Sequence, residues 1–379
     1  MTRMNVAVVV GTRPEVIKMA PLVYALRASP SFTPVLVSTG QHREMLDQAL
    51  GVFGLRPDVD LELMAPSQTL PDLAARALSK MSHVLEEVAP AWVLVQGDTT
   101  TAFAAALAGF YAQIPVAHVE AGLRSGRRYS PFPEEINRRM IDQISELLFA
   151  PTGNAAAHLL DEGFSPESVH VTGNTVVDAL LTIRDRLHEQ PVVVAELDEA
   201  KLAGKRIVLV TAHRRESFGS GLLEIFHALR EIARQNPDVV VVYPVHLNPN
   251  VDGPARRILA DQDRVMLLPP VGYLEFITLL ERCDLVLTDS GGVQEEAPTF
   301  GKPILVMRDV TERPEGVDAG VAKLVGTSDS VIHREATRLL SDPAAYRAMA
   351  SSMNPYGEGH AAEHIVRLLE RRTMAAKAA

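Results

Sequence analysis

Acidic and basic side chains recur in this chain directly after short apolar runs. The first cluster, Gly-Thr-Arg-Pro-Glu at residues 11–15, follows the apolar run at 4–10. Its glycine permits a tight turn, its threonine suits a helix N-cap, and its proline suits the first helical turn. A helix N-terminus with Arg13 beside it and Lys18 one turn later attracts anions. The cluster therefore fits an anion-binding site and a merely well-capped helix about equally.

Three carboxylates occupy comparable positions further along. Asp98 lies in the segment Gln-Gly-Asp-Thr-Thr, Glu120 lies in His-Val-Glu-Ala-Gly-Leu-Arg, and Glu134 follows two prolines that force a loop. Any one of them alone is more often a helix cap or an ion-pair partner. Together with His118 they can transfer protons, because neighbouring carboxylates and burial separate pKa values. Nearby arginines are expected to be structural counter-ions, namely Arg124, Arg138 and Arg139.

Two clusters in the second half indicate phosphate binding. The segment 211–217 contains His213, which could donate to a phosphate oxygen or act as an acid, whereas a solvated basic turn is the plain alternative. The segment 288–297 places a serine and two glycines at a strand-to-helix turn, where their backbone amides can face a pyrophosphate. This second segment is the most specific phosphate signal in the chain, and its turn residues are Ser290, Gly291 and Gly292.

The surroundings of that turn suit a nucleoside. Glu296 lies one to two helical turns beyond it, where a carboxylate could pair with ribose hydroxyls. The upstream segment 269–276 could form a base pocket in which Phe276 stacks on the base, although an ordinary core phenylalanine explains that residue as well.

Cofactor and metal motifs find little support. The chain has neither a Gly-x-Gly-x-x-Gly nor a Walker sequence, so simple NAD and P-loop interpretations lose support. The segment 360–364 matches an inverted zinc-protease pattern, but only a short tail follows it, and a polar helix face is the better interpretation. We expect no metal and no cofactor.

Alternating strands and helices must position these clusters. Short unbroken apolar runs at 4–10, 35–39, 92–96 and 116–119 predict buried parallel strands, and the pattern restarts at 206–211. The predicted fold class is α/β, with two doubly wound Rossmann-like domains facing a central cleft. Ligands of such sheets bind beyond the carboxyl ends of the strands, where the clusters lie.

The same pattern predicts the domain boundaries. An N-terminal Rossmann-like domain with the acid/base residues is expected at 1–182, followed by a charged linker at 183–205. A C-terminal Rossmann-like, nucleotide-binding domain is expected at 206–360, and a final helix and tail at 361–379.

Composition narrows the function classes. The chain has 379 residues, of which 47% are hydrophobic and 22% charged, so disordered and coiled-coil proteins are excluded. A formal net charge of −10 disfavours a nucleic-acid binder or a polybasic membrane-surface protein. Cys283 has no second cysteine with which to form a disulfide, and no secretory signal is recognised. The apolar stretch 101–119 suits a helix followed by a buried strand better than a membrane span. We expect a soluble, cytoplasmic protein without membrane insertion.

Taken together, the clusters resemble the non-hydrolysing UDP-N-acetylglucosamine 2-epimerases of bacteria. The resemblance runs from residue 5 to about residue 368, and its motifs are residues 11–15, 41–43, 96–99, 118–125, 130–138, 213–216, 289–297 and 311–315. It implies a fold of the GT-B type, shared with many glycosyltransferases, and usually a homodimer. The implied reaction interconverts UDP-GlcNAc and UDP-ManNAc without metal or nicotinamide.

The resemblance also implies roles for individual residues. The implied catalytic residues are Asp98, Glu120, Glu134 and His213. The implied substrate-binding residues are Arg13, Lys18, Arg138, Val271, Phe276, Ser290, Gly291, Gly292, Glu296 and Arg313. Bacterial members are often activated by their own substrate at a second site, for which the candidates are Gln41, His42, Arg214 and His246. A polar turn explains residues 41–43 at least as well.

Three residues depart from the family pattern. Ser217 stands where the family usually has Asn, Val310 where Thr often occurs, and Val271 at an often polar position beside the uracil. A backbone contact to the uracil edge would tolerate Val271. The departures leave the reaction class intact and blur the fine substrate preference.

The implied chemistry is an elimination. The proton on sugar carbon-2 is not acidic, because no carbonyl adjoins that carbon. The family instead eliminates UDP to give 2-acetamidoglucal and adds UDP back with protonation on the other face. The product would supply ManNAc-type precursors for surface polysaccharide. The sequence does not assign which carboxylate is the acid and which is the base.

Other functions stay open on the sequence. A retaining GT-B glycosyltransferase would share the nucleotide half but would not need the clustered acids. A hydrolysing relative would release UDP and free ManNAc, and a related epimerase would act on a diacetamido uronic acid nucleotide. A catalytically inactive UDP-sugar sensor would be expected to lack one of Asp98, Glu120 and Glu134, and all three are present.

Overall fold

The computed structural model describes residues 3–40, 43–65 and 68–378. Its strands in chain order are β1 (Met4–Val10), β2 (Phe32–Ser38), β3 (Val59–Asp60), β4 (Trp92–Gln96), β5 (Val116–Val119), β6 (Leu147–Ala150), β7 (Val169–Val171), β8 (Arg206–Thr211), β9 (Val239–Pro244), β10 (Val265–Leu268), β11 (Leu285–Thr288), β12 (Ile304–Val306) and β13 (Ala322–Leu324). The predicted strands at 4–10, 92–96, 116–119 and 206–211 are confirmed to the residue. The strand predicted at 35–39 begins three residues earlier and ends one residue earlier.

Helices separate most of these strands. In chain order they are α1 (Arg13–Ala28), α2 (Arg43–Val52), α3 (Leu70–Val88), α4 (Thr100–Tyr111), α5 (Glu134–Ile144), α6 (Gly153–Asp161), α7 (Thr175–Glu189), α8 (Glu199–Leu202), α9 (Ser220–Gln235), α10 (Pro249–Leu259), α11 (Tyr273–Arg282), α12 (Gly291–Glu296), α13 (Pro314–Asp318), α14 (Asp329–Ser341), α15 (Pro343–Ala350) and α16 (Ala361–Ala378). Two short 3-10 helices add to them, at Arg215–Ser217 and Ala297–Phe300.

The strands form two sheets, and every described pairing in them is parallel. The first sheet has the order β3-β2-β1-β4-β5-β6-β7, and the second has the order β10-β9-β8-β11-β12-β13. In both, the chain runs outward to one edge, returns to the middle and then runs to the other edge. This is the doubly wound arrangement, so the predicted α/β class is confirmed.

Apolar packing on both faces explains why the strand sequences do not alternate. Residues 6–10 of β1 and 239–243 of β9 are fully or almost fully buried. Helices cover both faces of a parallel sheet, so consecutive strand residues all meet apolar neighbours. In the second sheet β9 packs against α9, where Phe226 and Leu229 are buried in the same core as Tyr243.

The chain divides into two compact units. Unit 1 consists of Met1–Ala179 and Tyr356–Ala379, and unit 2 consists of Leu180–Pro355. The chain therefore leaves unit 1 within α7 and returns to it before α16. The segment 183–205, predicted as a linker, contains the end of α7 and the whole of α8.

The C-terminal helix α16 is part of unit 1. The Asp178 carboxylate accepts hydrogen bonds from the first two amides of α16, at 3.2 and 2.8 Å. Further along the helix, Ser29 donates to Glu370 at 2.6 Å and the indole of Trp92 donates to Thr373 at 2.9 Å. These contacts tie the last helix to the first sheet.

In each sheet the connection reverses direction between two central strands. Those strands are β1 and β4 in unit 1, and β8 and β11 in unit 2. Loops leaving such neighbouring strands diverge and open a crevice at the carboxyl edge. Four of the predicted clusters follow these four strands.

Among the described helices, none combines the length and apolar composition needed to cross a bilayer. The apolar stretch 101–119 forms most of α4 and then β5, as predicted.

Candidate active site

The acidic clusters of unit 1 meet at one edge of its sheet. Asp98 follows β4 and Glu120 follows β5, and these strands are parallel neighbours. A Cβ placed on Gly97 would lie 4.0 Å from Oε2 of Glu120, so the two loops are in contact distance of each other. The structure thus brings together two of the carboxylates that the sequence placed at strand ends.

Glu120 is the most constrained of the predicted acids. Its backbone has a φ of 69°, in the left-handed region that a non-glycine residue enters at a cost of about 1–3 kcal/mol. The buried carboxylate pairs with Lys18, whose Nζ lies 2.5 Å from Oε1. It also accepts hydrogen bonds from Nε2 of Gln96 and, at 3.3 Å, from Nδ2 of Asn174. Three donors, one of them a cation, hold the Glu120 carboxylate in a fixed orientation.

Asp98 is held by α5. Nη2 of Arg138 lies 2.5 Å from Oδ2 of Asp98, which confirms Arg138 as a counter-ion. The neighbouring Asn137 donates from Nδ2 to the backbone carbonyl of Asp98 at 2.9 Å. The Asp98 side chain keeps 26% of its surface exposed, so one face of the carboxylate stays open.

Glu134 differs from both. It is the first residue of α5, half-buried, and it makes no hydrogen bond or ion pair within the described part of the chain. The adjacent Glu135 is buried, accepts a hydrogen bond from the amide of Ser125 at 3.0 Å, and pairs with Arg139 at 3.2 Å. The first acid of α5 is therefore available for chemistry, and the second anchors the preceding loop.

His118 is a structural residue of this edge. The fully buried ring donates from Nε2 to the carbonyl oxygen of Gly97 at 2.8 Å and from Nδ1 to the carboxylate of Asp142 at 2.6 Å. Both ring nitrogens are therefore engaged by partners within the protein. Arg124 lies 2.8 Å from the other oxygen of Asp142 and balances the group. His118 thus fixes the Gly97 turn and has no surface for a substrate.

The cluster at 11–15 forms the capping box of α1. The Glu15 carboxylate accepts hydrogen bonds from the amides of Gly11 and Thr12 at 2.6 and 2.7 Å, and from the hydroxyl of Thr99 at 2.7 Å. The Glu15 carboxylate therefore binds the two amides that immediately precede α1. Burial raises the pKa of Glu15, against the lowering effect of its hydrogen bonds. Arg13 is exposed beside this helix end.

In unit 2, Asp289 connects the two central strands. Its Oδ2 accepts hydrogen bonds from the amides of His213 and Arg214 at 2.6 and 2.7 Å, so the end of β11 fixes the loop after β8. Its Oδ1 lies 3.6 Å from Nδ1 of His213 and has no hydrogen-bond partner among the described residues. Asp289 itself is fully buried.

His213 lies in the loop after β8, and its ring is close to Asp289 and His246. Burial lowers its pKa, Asp289 opposes that effect, and His246 and Arg214 add to it. The rings of His213 and His246 stack, with centroids 5.5 Å apart and planes inclined by 15°. His213 is therefore a neutral imidazole at neutral pH, with more than a third of its surface exposed.

The turn at Ser290 begins α12 beside a cation. Nη2 of Arg214 lies 3.6 Å from where a Cβ on Gly291 would be, so the guanidinium is adjacent to the turn. The amide of Ser290 donates to Oγ1 of Thr288 at 2.9 Å. At the far end of α12, the hydroxyl of Tyr273 donates to Glu296 at 3.2 Å.

Two arginines stabilise the loop after β12. Arg313 pairs with the buried carboxylate of Glu295 through its Nε. The buried Arg308 pairs with Glu216 at 2.5 Å and with Glu312 at 2.7 Å. Hydrogen bonding to Arg308 lowers the pKa of Glu312 to about 2. These ion pairs join the segments 213–216, 289–297 and 311–315, which the sequence shows only as separate motifs.

The remaining predicted residues have less defined surroundings. Phe276 lies on α11 and Val271 precedes that helix, and both are partly buried. Gln41 and His42 lie outside the described residues. Arg214 and His246, predicted for a second site, lie beside His213.

Sequence reasoning overlooked the residues that hold the acids in place. Gln96, Glu15 and Asp289 stand inside the predicted clusters, yet the sequence assigns roles only to their neighbours. Asn137 follows Glu134 by three residues, one helical turn away. Asn174 follows the end of β7, so the rule that strand ends carry polar residues would have found it.

No group of three or more His, Cys, Asp or Glu side chains within the described residues is arranged to hold a metal ion. Cys283 is buried, and burial raises the pKa of its thiol to about 12.

The chain matches one family along most of its length. The family model described as UDP-N-acetylglucosamine 2-epimerase covers residues 24–370. The UDP-N-acetylglucosamine 2-epimerase of Yersinia pestis is 52% identical over 370 residues, which are 97% of this chain and 98% of that protein. The enzyme of the same name from Salmonella typhimurium is 50% identical over 370 residues, with the same coverage of 97% and 98%.

A solved structure shows the same architecture. The UDP-GlcNAc 2-epimerase from Neisseria meningitidis, bound to UDP-GlcNAc, matches with a TM-score of 0.86 and 44% sequence identity. The match covers 97% of this chain and 100% of that one.

Proposed function

The chain belongs to the UDP-N-acetylglucosamine 2-epimerase family, and on that premise we propose that it inverts carbon-2 of UDP-GlcNAc by eliminating and re-adding UDP. The observation that supports this route is the set of three carboxylates at the carboxyl edge of unit 1, each in a different environment. The proposed intermediate is 2-acetamidoglucal, and the proposed product is UDP-ManNAc.

Elimination solves a chemical difficulty. The carbon-2 proton has no adjacent carbonyl to stabilise a carbanion, so removal and return of the proton alone would be slow. In the elimination, the C2–H bond and the C1–O bond to UDP break while a C1=C2 double bond forms. UDP departs with the electron pair of the C1–O bond. Re-addition reverses these changes, and the proton arrives at carbon-2 from the opposite face.

We assign the proton transfers to Asp98 and Glu134. Transfer on two faces needs two groups, and these are the carboxylates with open surface. Glu120 is occupied by Lys18, Gln96 and Asn174, so its role is to keep a fixed negative charge beside the reacting carbon.

We assign the binding of the leaving group, UDP, to unit 2. His213 and Arg313 supply donors and positive charge, and the backbone at Ser290, Gly291 and Gly292 supplies further donors for the diphosphate. Charge that develops on departing UDP is stabilised by such preorganised groups. Phe276 and Val271 are proposed for the uracil, and Glu296 for the ribose.

Proton NMR of the protein with UDP-GlcNAc in heavy water tests the proposal. We expect UDP-ManNAc with deuterium at carbon-2, and equal rates with and without a chelator. Retention of the carbon-2 proton in the product would contradict elimination. Free ManNAc with UDP would indicate a hydrolase, and the absence of any sugar product without an added acceptor would favour a glycosyltransferase.

Regulation by substrate is proposed separately. Arg214 and His246 lie beside His213, so a second UDP-GlcNAc bound by them would touch the leaving-group residues. We expect the reverse reaction from pure UDP-ManNAc to show a lag that a trace of UDP-GlcNAc removes. Hyperbolic kinetics without stimulation would contradict this.

We further propose a cytoplasmic homodimer that serves surface-polysaccharide synthesis and needs no cofactor.

A further inference from the structure

We propose that Asp289 orients the imidazole of His213 so that His213 takes up one proton from solvent when the diphosphate of UDP binds. The inference rests on the proposed function, since it takes His213 as a residue that contacts the phosphates. Asp289 is a positioning residue in this proposal, because it acts on the ligand only through His213.

The first support is the geometry of Asp289. One of its oxygens is fully used by the amides of His213 and Arg214, which fixes the carboxylate relative to the loop. The other oxygen is buried and has no hydrogen-bond partner among the described residues. A buried acceptor without a donor is destabilising, so a donor for it is favoured. Nδ1 of His213 lies 3.6 Å away, only slightly beyond hydrogen-bond distance.

The second support is the tautomer that this arrangement selects. With its proton on Nδ1 and directed at Asp289, the neutral ring has only a lone pair on Nε2. Such a ring cannot donate a hydrogen bond from Nε2 to a phosphate oxygen. To contact the diphosphate as a donor, the ring must gain a proton on Nε2 and become an imidazolium between two anions.

The third support is the balance of charges around the ring. Burial, His246 and Arg214 lower the pKa of His213, whereas Asp289 raises it. The ring is thus neutral in the free protein at neutral pH. A diphosphate adds negative charge on the open side of the ring, which reverses the balance in favour of the cation.

The neighbouring titratable groups do not explain such a proton. The amide of Asn248 donates to Nδ1 of His246 at 3.0 Å, so a proton on that nitrogen would break an existing hydrogen bond. Tyr243 donates its hydroxyl hydrogen to the carbonyl of Ala212 at 2.6 Å, and burial raises the pKa of this phenol further. Oδ2 of Asp289 already accepts two backbone amides.

Calorimetric titration with UDP alone tests the inference, because it needs no turnover. Binding enthalpies measured at each pH between 6 and 8.5, in buffers of different ionisation enthalpy, give the number of protons taken up. We expect uptake that approaches about one proton per site and is greatest between the pKa values of the free and bound ring. The variant His213→Gln should bind UDP without uptake, and His246→Gln should retain it.

Asp289→Asn separates the two functions of Asp289, which are to accept the backbone amides of the loop after β8 and to orient the ring of His213. Its amide oxygen can still accept from the backbone of His213 and Arg214, but its NH₂ group replaces the oxygen that faces Nδ1. The ring should then carry its proton on Nε2 and bind UDP without uptake. Asp284→Asn is the matched control, since Asp284 accepts the amide of Ile207 at 2.8 Å at the other end of the same strand pair. This control should retain full uptake.

Nitrogen-15 NMR of histidine-labelled wild-type protein gives an independent readout if Asp289→Asn fails to fold. The resonances missing in His213→Gln should show a neutral ring protonated on Nδ1 without UDP and an imidazolium with UDP. UDP binding without proton uptake in the wild type would overturn the inference and leave the proposed function standing. A failure of UDP to bind at all would overturn both.

Discussion

Glu134 and Glu135 are adjacent in sequence, yet their side chains have opposite environments. Glu134 is half-buried without a partner in the described structure, whereas Glu135 is buried and bonded to Ser125 and Arg139. Side chains one residue apart on a helix point about 100° apart, so one can face a ligand while the other faces the protein. This contrast separates a catalytic effect from a structural one.

Glu134→Gln should lower kcat by about a hundredfold or more, which is the usual contribution of a general acid or base. UDP affinity and thermal stability should stay at wild-type values, because the side chain has no partner to lose among the described residues. Glu135→Gln should instead lower the melting temperature. Glu146→Gln, an exposed carboxylate just beyond α5, is the control and should change neither. Near-normal turnover of Glu134→Gln, measured by coupled assay, would remove Glu134 from the mechanism.

At the scale of elements, α1 and α3 begin with the same device in different surroundings. Each has a threonine N-cap and an acidic residue three positions later that accepts from the N-cap amide, namely Glu15 in α1 and Asp72 in α3. Burial raises the pKa of Glu15, whereas hydrogen bonds from Thr69 lower the pKa of the exposed Asp72. The same capping motif therefore makes the stability of the protein depend on pH in opposite directions at α1 and α3.

A raised native pKa means that the folded state binds the proton more tightly than the unfolded state. The stability from protonated Glu15 is present below its ordinary pKa of 4.5 and is lost as pH rises through the raised value. Glu15→Gln should therefore gain stability relative to wild type as pH rises through that window. Asp72→Asn should show the reverse, losing stability relative to wild type as pH rises through the region below 3.8. Urea unfolding followed by the single tryptophan, Trp92 in unit 1, measures both. A pH-independent difference for Glu15→Gln would contradict the assignment.

The turn after β5 depends on a glycine for two reasons. Gly122 has a φ of 85°, and a Cβ there would lie 2.1 Å from the carbonyl oxygen of Ala155 in α6. Gly163 has a φ of 89°, but a Cβ added to it would have no described atom within 4 Å. Comparing the two glycines therefore separates the cost of backbone strain from the cost of a close contact between a Cβ and its neighbour.

Gly163→Ala should cost about 1–2 kcal/mol, the energy of placing a Cβ in the left-handed region. Gly122→Ala should cost roughly 1–3 kcal/mol more, since α6 must also move away from the loop that holds Glu120. Urea unfolding measured through Trp92 gives both values. Equal losses in the two variants would show that the contact with Ala155 is easily relieved.

At the scale of the whole molecule, the proposed chemistry is distributed over two units. The acids belong to unit 1, which contains both ends of the chain, and the diphosphate residues belong to unit 2, which contains its middle. We therefore expect UDP alone to bind to residues of unit 2.

Hydrogen exchange measured by mass spectrometry should show this. At a UDP concentration of about 100 times Kd, opening of the binding segments should be suppressed by about 2.7 kcal/mol, or about a hundredfold in exchange rate. The protected amides should lie in 211–217 and 288–296. Uridine, which lacks phosphates, should protect these segments far less. Equal protection by uridine and UDP would contradict the assignment of the diphosphate to these loops.

Local patterns predicted the elements and the chemistry of the clusters. The runs at 4–10, 92–96, 116–119 and 206–211 became strands with the expected bounds, because an unbroken apolar run bounded by turn residues is a local property. The motifs likewise identified the family and placed Asp98 and Glu120 at neighbouring strand ends.

The partners of these residues were decided by the tertiary structure. Lys18 pairs with Glu120 across 102 residues of sequence, and Arg138 pairs with Asp98 across 40. In the cluster at 11–15, only the structure reveals that Glu15 is buried and accepts hydrogen bonds from the amides of Gly11 and Thr12. Such choices depend on the order of strands in the sheet and on which side chains are buried beside one another. The local sequence specifies which groups can ionise or form hydrogen bonds, and the packed fold specifies which of them are left free to react.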